Sequence, residues 1–388
     1  MTLSRRTFVR TLSLGGAGVL GAPLLAGRGS EAWGRALGVG DELPGVGAPR
    51  AMAASPLRLN SNENPYGPSP AALRAVQGAL TGASRYPREW EDALAAALAA
   101  EHGVKVENIL LGAGSGEVLR MAAFAFLSPT AALVTAAPSF EDSTHYAEGM
   151  GAPVHAVPVT GNLQLDLAAM AARCPGAGLV FLCNPNNPTS TVHSAAAVAD
   201  FVAGVRRSAP GTTIVIDEAY HEYVEDPAYA TSIPMALADP RVVVARTFSK
   251  VFGMAGLRVG YAIGTAETLK TMRRHRLGNS VNVLGAAGAV AALGERAFLA
   301  EQRRLNREAR AYTHRAFTDA GFAVVPSQTN FLMIDIRRDA REFQVACRKH
   351  DVLVGRPFPP LNTHTRISIG TMEEMRRAVP VFRTVLAG

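Results

Sequence analysis

An α/β fold is predicted for this 388-residue chain, with a large domain built on a mostly parallel, doubly wound sheet and a smaller α/β domain toward the C-terminus. The prediction rests first on short apolar runs at 131–136, 154–159, 179–183, 213–216, 242–245 and 259–263, separated by helical patterns such as 195–207. Buried strands alternating with helices build a sheet that is covered on both faces. It rests second on where the polar residues fall. They cluster directly after those runs, and in such sheets ligands sit beyond the carboxyl ends of the strands. Hydrophobic residues at 48% and charged residues at 18% describe a globular chain, neither disordered nor fibrous.

The N-terminal segment, 1–54, is read apart from the fold. Ser4-Arg5-Arg6-Thr7-Phe8-Val9-Arg10 resembles the twin-arginine export signal, and a weakly hydrophobic, Gly-rich stretch over 12–26 follows it. That stretch is too short and too rich in glycine for a comfortable membrane span. Residues 27–54, rich in Gly, Ala and Pro, read as a linker. The expectation is export to the periplasm through the twin-arginine machinery, with a cytoplasmic location if the segment is only a basic tail. The net charge of +7 draws on this region, where residues 1–50 hold six arginines against three acids. No basic run interleaved with aromatics occurs, so no nucleic-acid partner is expected. Cys174, Cys183 and Cys347 have no metal-ligand spacing and form no disulfide framework, so no metal is expected.

An arm at 55–82 comes next. Asn60-Ser61-Asn62-Glu63-Asn64-Pro65-Tyr66-Gly67-Pro68 holds too many Asn, Pro and Gly residues for a helix and leads into a helical pattern over 71–80. The large domain, 83–282, opens with the turn Arg85-Tyr86-Pro87 and an Ala-rich helix over 90–101. Gly112-Ala113-Gly114-Ser115-Gly116-Glu117 is then a Gly-rich turn opening a helix over 118–126, and free amides at such a start can hold an anion. The smaller domain, 283–388, reads as one long helical pattern over 284–315, strands at 329–336 and around Ile367, and a closing helix over 373–386.

The chemistry concentrates at three strand ends: Asn184-Pro185-Asn186-Asn187-Pro188-Thr189, Asp217-Glu218-Ala219-Tyr220, and Thr247-Phe248-Ser249-Lys250 with Arg258 shortly after. A lysine crowded by another cation and partly desolvated becomes a free amine near neutrality and can form a Schiff base. Hydroxyls and a guanidinium beside it suit a phosphate. The combination points to pyridoxal 5'-phosphate. On that cofactor, Asp217 keeps the ring nitrogen protonated, Tyr220 and Asn187 hydrogen-bond the ring oxygen, and Phe140 stacks on the ring face. Thr247, Ser249, Arg258 and the turn Ser115-Gly116-Glu117 hold the phosphate.

Over 59–370 the chain resembles the fold-type I pyridoxal-phosphate aminotransferases, and within them the histidinol-phosphate aminotransferase group. The motifs that carry the resemblance are Asn62 to Gly67, Gly112 to Glu117, Asn184 to Thr189, Asp217 to Tyr220, Ser249-Lys250 with Arg258, and Arg366-Ile367-Ser368-Ile369-Gly370. The resemblance implies a seven-stranded sheet, Lys250 as the catalytic lysine, and Arg366 as the grip on the substrate carboxylate. It also implies substrate contacts from Tyr66, Asn187 and Arg356, the last toward a distal phosphate, and a homodimer in which Tyr86 reaches the partner's cofactor phosphate. Ser190, Gly116 and Phe140 depart from the family pattern, which more often has glycine, aspartate and tyrosine there. The expected reaction moves an amino group from an L-amino acid, or an amino-alcohol phosphate such as histidinol phosphate, to a 2-oxo acid. A decarboxylase or lyase on the same scaffold and a non-catalytic binding protein are the other readings. An exported enzyme would not meet cytosolic histidinol phosphate, so the expectation concerns the reaction type more than the substrate.

Overall fold

A computed structural model describes residues 56–387. The twin-arginine segment and its linker lie outside these residues. The strands, in chain order, are β1 (Leu57–Leu59), β2 (Ile109–Gly112), β3 (Ala132–Ala137), β4 (Val154–Pro158), β5 (Ala177–Cys183), β6 (Thr213–Asp217), β7 (Val242–Thr247), β8 (Gly260–Ile263), β9 (Ala323–Val324), β10 (Phe331–Asp335), β11 (Val352–Val354) and β12 (His364–Ser368). Seven of them form one sheet in the order β2-β8-β7-β6-β5-β3-β4. The pairings from β4 across to β7 are parallel, and β8 runs antiparallel to both β7 and β2.

The apolar runs are continuous because both faces of this sheet are covered. Successive residues feed opposite cores: Val180, Leu182, Ile214, Ile216, Val242 and Val244 pack on one side, and Leu179, Phe181, Val215, Val243 and Ala245 on the other. Each such Val, Leu, Ile or Phe side chain removed from water contributes about 1.5–3 kcal/mol.

A second region holds the antiparallel sheet β12-β10-β9 and the parallel pair β1-β11. The arm is therefore not irregular throughout. Leu57 and Leu59 are buried in the second core, paired with Val352 and Val354, while Arg58 between them is exposed. The helix Pro70–Ala79 follows, with Pro70 in its first turn and the Ser69 side chain accepting the Ala72 amide at 3.1 Å.

Two features differ from the expectation. Ile109–Gly112, which runs into the Gly-rich turn and is not among the expected strands, is a strand, because its pairing with β8 buries all of its residues. The single long helical pattern over 284–315 is two helices, Val283–Leu293 and Arg296–Thr318, bent by 89°. The first is Ala- and Gly-rich and buried on most of its surface, whereas the second is amphipathic. The change at Gly294-Glu295 is one of environment, and helical periodicity alone runs through it.

Candidate active site

The parallel strands deliver β3, β5, β6 and β7 with their carboxyl ends along one edge. The antiparallel β8 starts at that same edge, so Arg258, two residues ahead of it, joins them. A cleft of about 250 Å³ opens there, lined among others by Ser115, Phe140, Asn187, Asp217, Tyr220, Thr247, Ser249, Lys250 and Arg258.

Asp217 is the last residue of β6 and is 3% exposed. One carboxylate oxygen accepts the Ala219 amide at 3.1 Å. Burial pushes its pKa up to about 7, against the pull of that amide and of Lys250. Glu218, next along the chain, turns to the other face and meets the buried Arg246 at 2.7 Å, with Glu222 at 3.2 Å beside them. Alternation along the strand thus separates a carboxylate for the cleft from one that fixes the frame.

Lys250 projects from the turn after β7, its Nζ 5.5 Å from the centroid of the Tyr220 ring. Desolvation, and next the Arg366 guanidinium, pull its pKa down to about 8, while Asp217 opposes them. The Tyr220 hydroxyl accepts from Asn62 Nδ2 at 3.0 Å, and its ring stands edge-on to Phe331 at 5.2 Å.

An anion cradle occupies the other end. The Thr247 hydroxyl donates to Ser249 Oγ at 2.9 Å and accepts the Ser249 amide at 3.0 Å; Arg258 reaches Ser249 Oγ at 3.4 Å. Arg258 has φ 55°, in the left-handed region, at a cost of about 1–2 kcal/mol for a residue with a Cβ. The helix Ser115–Phe126 starts at Gly114 (φ 81°), which has no side chain to cap the first turn. A Cβ at Gly114 would stand 2.3 Å from the Arg258 guanidinium, so only glycine leaves room for that arginine beside the helix start.

Arg366, on β12, donates from NH1 to Asn187 Oδ1 at 2.5 Å and from NH2 to the Asn60 carbonyl at 2.8 Å. Its buried Nε has no partner among the described residues. The guanidinium lies 5.6 Å from the Phe331 ring centroid and 4.8 Å from that of Phe358. Burial first, then Arg356, lower its pKa to about 10.

A family model for "Aminotransferase class I and II" matches residues 54–382. The chain belongs to that family. It is 39% identical over 334 residues to a histidinol-phosphate aminotransferase of Moorella thermoacetica, covering 85% of this chain and 86% of that protein. It is 41% identical over 333 residues to one of Symbiobacterium thermophilum, with 85% and 90% covered. Its fold is similar to the crystal structure of histidinol-phosphate aminotransferase from Sinorhizobium meliloti in complex with pyridoxal-5'-phosphate, with a TM-score of 0.80, 28% identity, and 94% and 95% of the two chains covered.

Some expected site residues lie elsewhere in this chain. Glu117 belongs to the anion-binding turn by its backbone, while its carboxylate accepts the Ala113 amide at 2.6 Å and the Leu277 amide at 2.9 Å, which pins the Gly-rich turn. Tyr66 does not line the cleft. It is half-buried near Met372 and Glu374, where burial raises its hydroxyl pKa. Tyr86 is 83% exposed. Arg356 is exposed beside the cleft, pairs with Glu141 and lies 4.4 Å from the Phe358 ring centroid. Conversely, Asn62 and Asp142 were not singled out. Asn62 belongs to a motif already noted, but it is Ser368 on β12, whose Oγ accepts the Asn62 amide and donates to Asn62 Oδ1, both at 2.8 Å, that holds it toward Tyr220. Asp142 lines the cleft, and its Oδ2 would stand 3.0 Å from a Cβ on Gly116, so a side chain at position 116 would crowd a carboxylate arriving from another strand end.

Proposed function

We propose that this enzyme transfers an amino group from an L-amino acid, or an amino-alcohol phosphate such as histidinol phosphate, to a 2-oxo acid, using pyridoxal 5'-phosphate. The residues fit that group. A buried Asp217 with a single backbone donor faces the cleft from one end, and hydroxyls, Arg258 and an uncapped helix start face it from the other. When bound, the cofactor withdraws electrons from the carbon that bears the amino group.

The observation that carries the reading is Lys250: an enclosed amine with its pKa lowered to about 8, between Asp217 and the substrate-side Arg366. A primary amine of that pKa both takes and returns a proton near neutral pH, so Lys250 Nζ moves the proton at the substrate's α carbon. Arg366, held open by Asn187 and Asn60, binds the α-carboxylate and leaves its Nε as a further donor. Tyr220, oriented by Asn62, and Asn187 hold the cofactor ring oxygen, and Phe140 and the buried strand ends exclude water.

The test is Lys250→Ala. Amino transfer falls by at least about 10⁴-fold, while the cofactor is still retained without covalent attachment. Undiminished turnover, or carbon dioxide release as the main reaction of the wild type, refutes the assignment.

We also propose a homodimer, supported by the exposed Tyr86 and by the resemblance, and checked by sedimentation of the holoenzyme. Export is supported by Arg5-Arg6 and the apolar stretch after them. Replacing both arginines by lysine then keeps the protein in the cytoplasm, and an unchanged periplasmic yield refutes it.

A further inference from the structure

The turn after β3 carries two carboxylates directly behind the ring-stacking candidate Phe140. Asp142 faces the cleft, and Glu141 does not. Glu141 reaches across to the loop after β11, where its Oε2 pairs with the NH2 of Arg356. Arg356 NH1 donates to the neighbouring Pro357 carbonyl at 3.0 Å, so two of its nitrogens are engaged within the chain.

The guanidinium of Arg356 lies 4.4 Å from the centroid of Phe358, and the guanidinium of Arg366 lies 4.8 Å from the same centroid. Phe358 is 5% exposed. One buried ring therefore sets the spacing between the arginine assigned to the α-carboxylate and a second arginine at the rim. Electrostatically the three groups form one set, since both Arg356 and Glu141 bear on Arg366, with opposite signs. The rim pair is half-exposed on both sides, at 50% and 44%, so it is held weakly enough to exchange partners.

We propose that Glu141 is a specificity-determining residue. It occupies Arg356 from within the chain, so a substrate with a second anionic group at its far end must displace Glu141, while a substrate with an uncharged side chain leaves the pair intact. The inference rests on the assignment of Arg366 to the substrate carboxylate. The displaced carboxylate stays near the incoming anion and repels it, so distal carboxylates and phosphates share the same penalty. The expected preference is for amino donors with uncharged side chains.

The experiment uses the cofactor-loaded enzyme and two ligands of equal length, glutarate with two carboxylates and glutaramate with one carboxylate and one amide. Calorimetry gives the ratio of their affinities in the wild type, Glu141→Gln, Arg356→Gln and the double variant. Glu141→Gln is expected to raise the glutarate-to-glutaramate ratio by about tenfold. Arg356→Gln lowers the ratio, and adding Glu141→Gln to it raises the ratio by much less than in the wild type, since only the repulsion is then relieved. A ratio within twofold of the wild type in Glu141→Gln overturns the proposal, as does an equal rise in the Arg356→Gln background. Half-reactions with L-glutamate and L-glutamine accompany the titration. If the wild type converts neither, the aminotransfer assignment is in error for these donors, whereas the binding ratios still decide the role of Glu141.

Discussion

In the cofactor-free protein, Lys250 is a source of instability that the fold tolerates for the sake of the site. Its pKa falls from the ordinary lysine value of 10.5 to about 8, chiefly through burial. That difference corresponds to at most about 3 kcal/mol. A base whose pKa is lower in the folded state than in the unfolded state destabilises the fold wherever the unfolded chain holds the proton. The penalty is therefore complete below pH 8, shrinks between pH 8 and 10.5, and is gone above that. Lys250→Met keeps a stem of similar length and removes the ammonium. The cofactor-free variant should be more stable than the wild type at pH 7 by about 1–3 kcal/mol, with a thermal midpoint higher by about 2–6 °C. The gain should vanish near pH 10. Thermal melts of both proteins, freed of cofactor because bound ligand adds its own stabilisation, measure this at each pH. A variant no more stable than the wild type at pH 7, or an equal gain at pH 7 and pH 10, refutes the placement of Lys250 as a desolvated, cation-crowded amine.

Asn62→Ala removes the donor that orients the Tyr220 hydroxyl, and kcat/KM should fall by about five- to tenfold with cofactor retention unchanged; an unaltered kcat/KM would show that the tyrosine needs no such support. Glu218→Gln breaks a buried pair whose side chains are 1% and 5% exposed, leaving Arg246 with Glu222 as its one carboxylate and the Thr231 hydroxyl. A loss of about 3 kcal/mol is expected and is read from the midpoint of denaturant unfolding. A midpoint equal to the wild type would mean that Arg246 is satisfied without Glu218.

Much of the site was legible in the sequence because of how a covered parallel sheet works. Its strands must be apolar throughout, so polar residues that adjoin them sit at their ends, and one edge of the sheet collects those ends. Asn187, Asp217, Tyr220, Ser249 and Lys250 are visible on that ground alone. The Gly-rich turn before Ser115 is legible for a related reason, since only glycine permits its backbone and the approach of Arg258.

Other groups reach the site through contacts between segments far apart in the chain, and local pattern is silent on these. Asn62 meets Tyr220 while held by the Ser368 hydroxyl, 306 residues on in the chain. Arg366 arrives from the second sheet to meet Asn187, and Glu141 meets Arg356 across the cleft. The Glu117 carboxylate is taken up by two backbone amides, and Tyr66 is half-buried beside Met372 and Glu374. The sequence by itself determined the fold class, the strand-end residues and the amine among them. The tertiary structure alone decided which carboxylates face the cleft, which arginines are engaged, and which residues of a matching motif are turned away. Those outcomes depend on register and on long-range packing, whereas hydrophobic periodicity records only the face on which each residue lies.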